Sequence, residues 1–115
     1  MTVVLQPLYD RLAQTARNGD TATYAAVAPL AALDMGSPAD RNRLAVLLDE
    51  INQHESGQGR PLLTALVVLA DKKMPGQGFF DCATRLGRTV GDDHLTFWLA
   101  EVRHVHEYWT TAERR

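Results

Sequence analysis

The chain has 115 residues, 45% of them hydrophobic and 23% charged, with a formal net charge of -2. That is room for one domain with a real core, 1–115, and it argues against generic polyanion binding while leaving a local basic patch open. The single cysteine, Cys82, excludes an internal disulfide and a thiolate zinc site, as expected of a reducing cytoplasm.

The N-terminus lacks a basic region followed by a long apolar stretch, so no signal peptide is read, and no apolar run reaches the roughly 20 residues of a membrane span. Leu5, Leu8, Tyr9, Leu12, Ala13 and Ala16 recur at helical spacing until Asn18-Gly19-Asp20, predicting a helix over 4–18. A second, short helix spans 23–33, with Thr23 as N-cap and Pro29 shortening or kinking it. Ser37-Pro38-Ala39-Asp40 opens a third helix, 38–56, with Ser at the cap, Pro first and an early acid. Its buried stripe is Leu44, Leu47, Leu48 and Ile51.

The β-prone run follows. Leu62 to Ala70 predicts one strand, alone or with a short partner, and Asp71 to Gly78 a polar turn or wing. The turn Pro75-Gly76-Gln77-Gly78 calls for positive φ and precedes a helix over 79–86. A last helix runs over 92–111, with Asp92-Asp93 at its start and Arg114-Arg115 beyond its end, both suited to the helix dipole. The fold class is therefore mainly α with a small β element.

The order helix, short helix, turn, long helix, strand, turn resembles a winged helix-turn-helix. More specifically, T-Y-A-A-V-A-P-L, a long helix carrying Arg and Ala/Leu, G-R-P-L-L-T-A-L-V-V and G-Q-G-F-F resemble the C-terminal domain of DNA alkylguanine alkyltransferases and alkyltransferase-like proteins. The resemblance covers roughly Thr23 to Leu86. The chain is also similar to small uncharacterised bacterial proteins with the pattern G-R-P-L-L-x-A-L-V-V … P-G-x-G-F-F.

Against the alkyltransferases, the nucleophilic cysteine falls at Leu62 and the histidine that activates it at Leu63. Alkyl transfer needs an activated thiolate, so the chain is not expected to be an alkyltransferase. Cys82 lies on the following helix and is not carried over. Tyr24 does match the family's tyrosine near the DNA backbone. The resemblance implies a non-catalytic DNA-binding module in which Tyr24, Arg41, Asn42, Arg43, Arg60, Lys72 and Lys73 meet nucleic acid. It also implies a small concave site near Phe79, Phe80 and Arg60.

Each of these residues has a plainer reading. The arginines sit on a helix that also carries Asp40, Asp49 and Glu50, and Lys72-Lys73 also read as a solvated turn. His104 and His106, two apart on a helix, diverge by about 200° and do not share an ion, and Glu50/His54 reads as a surface pair. No metal or cofactor is expected. The alternative function is a protein-interaction domain that has lost DNA binding, using Trp98, Tyr108 and Trp109 on the terminal helix as a homodimer or partner surface.

Overall fold

A computed structural model describes residues 4–113. Arg114 and Arg115, assigned above to the helix dipole, lie outside them. The elements are α1 (Gln6–Arg17), β1 (Ala22–Thr23), α2 (Tyr24–Val27), a 3₁₀ turn (Ala28–Ala31), α3 (Pro38–Gly57), a second 3₁₀ turn (Leu63–Leu66), β2 (Val67–Val68), α4 (Gln77–Arg85) and α5 (His94–Glu113). Of the described residues, 66% are helical, with one small two-stranded sheet among them.

α2 and α3 start at the caps that the sequence names, and α5 starts just after Asp93. Thr23 accepts from the Ala26 N–H at 3.1 Å and Ser37 from the Asp40 N–H at 3.3 Å. Asp93 accepts from both the N–H (3.1 Å) and the hydroxyl (2.6 Å) of Thr96. Each side chain satisfies donors that the first helical turn leaves open. Pro29 converts the continuation of α2 into a 3₁₀ turn, which ends at Ala32 with φ 57°.

The expected strand Leu62–Ala70 is corrected. Leu63–Leu66 is a 3₁₀ turn, and only Val67 and Val68 form a strand, pairing in parallel with Ala22 and Thr23. The segment from Leu62 to Val68 is buried among α1, α3 and α5. A helical surrounding offers it no long strand partner, so side chains satisfy its backbone instead. Glu101 accepts from the Leu62 N–H at 2.8 Å, Asn52 from the Thr64 N–H at 3.3 Å, and the Trp98 indole N–H donates to the Ala65 carbonyl at 2.8 Å. Buried backbone groups must find such partners.

Two smaller corrections follow. The positive φ in the turn falls at Lys73 (55°), not at Gly76, whose φ is -71°. Gly76 is instead where the backbone meets Tyr24: its N–H donates to the Tyr24 hydroxyl at 2.9 Å, and a Cβ there would stand 3.6 Å from that oxygen. The helix that follows begins at Gln77 rather than Phe79.

Among the described residues, no helix is long and apolar enough to cross a membrane.

Candidate nucleic-acid interface and apolar cavity

The helical period brings Arg41, Ala45, Leu48 and Asp49 to one face of α3. That face forms one wall of a cavity of about 410 Å³, within the size range of small-ligand sites. Tyr24 of α2 faces it from another side. Val68, Leu69 and Ala70 run along the floor, and Gly76 and Phe79 close it at the start of α4.

Two polar groups stand out in this apolar lining. The Tyr24 hydroxyl oxygen accepts from Gly76, which leaves its hydrogen to donate. Burial raises the Tyr24 phenol, and the nearby Asp49 charge raises it further. Asp49 is itself raised, chiefly by burial, although the Arg85 guanidinium at 3.0 Å and the Cys82 thiol hydrogen bond oppose this.

Arg41 lies at the rim, its Nη1 donating to the Met35 carbonyl at 3.0 Å. The turn carrying Lys72 and Lys73 joins two lining residues, Ala70 and Gly76, and both lysines are exposed. It is closed by Leu69 N–H to Met74 carbonyl and Lys73 N–H to Leu69 carbonyl bonds, each 2.8 Å. Asn42 and Arg43 are exposed one and two positions beyond Arg41. Arg43 therefore projects about 200° from Arg41, away from the cavity wall. Of the nearby acids, Asp40 accepts from the Asp34 N–H at 2.9 Å and Asp34 from the Gly36 N–H at 2.9 Å, while Asp49 accepts from the Arg85 side chain at 3.0 Å.

The other candidate residues lie elsewhere. Phe79 lines the cavity, but Phe80 turns into the core and stacks on His94 at 4.3 Å. Arg60 is also apart from it. Its Nε donates to Glu55 at 2.7 Å and its Nη2 approaches His54 at 3.3 Å. The Tyr9 hydroxyl donates to the same carboxylate. Glu55 is wholly buried, so Arg60 serves as the counter-charge of a core acid.

Trp98 is tied to the Ala65 carbonyl, and Trp109 is buried beneath the Arg17 guanidinium, 5.3 Å from its ring centroid. Of the three aromatic interface candidates, Tyr108 alone is exposed. The exposed apolar pair on α5 is Leu95 (49%) and Leu99 (54%).

Leu62 and Leu63, at the positions of the alkyltransferase nucleophile and base, are fully buried. Cys82 is also buried. Burial raises its thiol, the Asp49 charge adds to that, and a thiol kept protonated is a poor nucleophile. Among the described residues, no group of three or more His, Cys, Asp or Glu side chains is arranged to hold a metal ion.

Sequence reasoning missed Asp49 as a cavity group and Glu55 and Glu101 as buried acids. Asp49 had one usable signal: it follows Arg41 by eight residues, the same helical face. No protein-family model, curated protein or solved structure matches the chain.

Proposed function

We propose that this protein is a non-catalytic nucleic-acid-binding module of winged-helix type, in which a tight turn stands where a β-hairpin wing would be. The observation that carries this reading is the placing of Arg41, from the start of a long helix, on the cavity wall, with the exposed Lys72-Lys73 turn joining two further lining residues, Ala70 and Gly76. A helix start is where such modules meet phosphates and base edges, and lysines on a neighbouring turn add a term without sequence preference.

Asn42, exposed on the same helix turn, supplies a further contact, whereas Arg43 points away from the cavity and is left out of the interface. Tyr24 acts from within the cavity rather than on a phosphate. Arg60 is removed from the interface, because its guanidinium balances Glu55. Binding measured against salt concentration tests the reading, since each phosphate neutralised releases counterions.

A second reading rests on Leu95 and Leu99, half-exposed four positions apart on one face of α5. A protein partner or a second copy would cover them. Sedimentation across a concentration series, with Leu99→Glu as control, separates this from a monomeric nucleic-acid binder.

A further inference from the structure

We infer that a second cleft, between α5 and the segment 59–61, binds the zwitterionic head of a free α-amino acid, with Glu101 holding the ammonium group and Arg88 the carboxylate. This cleft has a volume of about 470 Å³ and shares no lining residue with the cavity beside α3. Glu101, His104, Tyr108 and Thr111 recur at helical spacing and bring one face of α5 to it. Pro61 and Arg88 line it from other segments.

Two opposite charges line this cleft, each short of partners. The Glu101 side chain is only 8% exposed. Its Oε2 accepts from the Leu62 N–H, but Oε1 has His104 Nδ1 at 3.9 Å, beyond hydrogen-bond reach. Among the described residues, the Arg88 guanidinium makes one hydrogen bond, from Nη2 to the Arg60 carbonyl at 3.2 Å, and its buried Nε makes none. No ion pair joins Arg88 to Glu101 or to any other acid among them. Arg60 is already committed to Glu55. Charges withdrawn from water in this way gain most from a partner of opposite sign.

A ligand that serves both must carry an ammonium and an anion close together. A phosphate meets Glu101 and the exposed Glu107, and a simple amine meets Arg88 and Arg60, so like charge disfavours each. An α-amino acid holds both groups on one carbon and brings no net charge. Pro61 and the Tyr108 ring give the same cleft an apolar part, which suits a hydrocarbon or aromatic side chain. Amino-acid binding here is independent of nucleic-acid binding at Arg41.

The test titrates L-leucine and L-phenylalanine into the full-length protein by calorimetry, each beside its N-acetyl and its carboxamide derivative. At least one parent amino acid should bind saturably. Its two blocked derivatives should each bind about tenfold more weakly or worse, the scale of one lost hydrogen bond to a charged group. Arg88→Met should weaken the parent to the level of the carboxamide and leave the carboxamide unchanged. Glu101→Gln, which keeps an acceptor for Leu62, should weaken the parent to the level of the N-acetyl form and leave that form unchanged. The derivatives are compared on the wild-type protein, so a variant that fails to fold does not spare the assignment. No binding of either parent, a blocked derivative bound as tightly as its parent, or a parent affinity unchanged in both variants would overturn it.

Discussion

The Glu101 carboxylate accepts a hydrogen bond from the Leu62 backbone N–H at 2.8 Å, across 39 positions of sequence, and both groups are buried. This bond joins α5 to the non-helical segment that crosses the core. Glu101→Leu should lower unfolding stability by about 1–3 kcal/mol, the cost of an orphaned buried donor. Glu101→Gln, which still offers an acceptor, should cost less. Urea unfolding of the three proteins checks the ranking.

Arg60 and Glu55 make a different kind of pair. Glu55 is wholly buried, while Arg60 reaches solvent along one edge. Arg60→Met leaves a buried carboxylate without its cation and should cost about 3 kcal/mol or more. Adding Glu55→Gln should recover part of that loss. A double-mutant cycle in urea measures the coupling, and independent, additive losses would contradict the assignment of Arg60 to the core acid.

Asp49 predicts a pH dependence of stability. Its folded pKa is raised, chiefly by burial, above its ordinary value. A group of that kind contributes stability below its unfolded pKa, and loses it as pH rises through the folded value. Asp49→Asn should therefore be more stable than wild type at neutral pH. The difference should shrink towards zero as the solution is made acidic. The exposed ion pair to Arg85 is lost as well, but such pairs contribute little. Thermal melts from pH 3 to 8 would show the two curves converging at the acid end.

Much of the architecture was legible because it is local. Ser37-Pro38, Asp93 and Thr23 announce helix starts by side chains that reach only three residues ahead. Leu62 to Ala70 was misread because its β-branched residues describe burial as well as strand. What bends it into a 3₁₀ turn is Asn52, Trp98 and Glu101, none of them near in sequence. The same limit applies to the site. Arg41 and the lysines were nameable from their place on a helix start and a turn. The separation of Arg60 and Phe80 from the cavity was not, because a buried acid and a stacked histidine hold them.

The most direct test of the proposed function is binding to a fully paired duplex across a salt series, comparing wild type with Arg41→Ala and with Lys72→Ala/Lys73→Ala. Wild type should bind at low salt, with log affinity falling linearly against log salt. Each variant should bind more weakly and with a shallower slope, by roughly one unit per phosphate contact removed. The fold should survive, since Arg41, Lys72 and Lys73 are exposed. No duplex binding by the wild type at low salt, or a slope unchanged in both variants, would contradict the account.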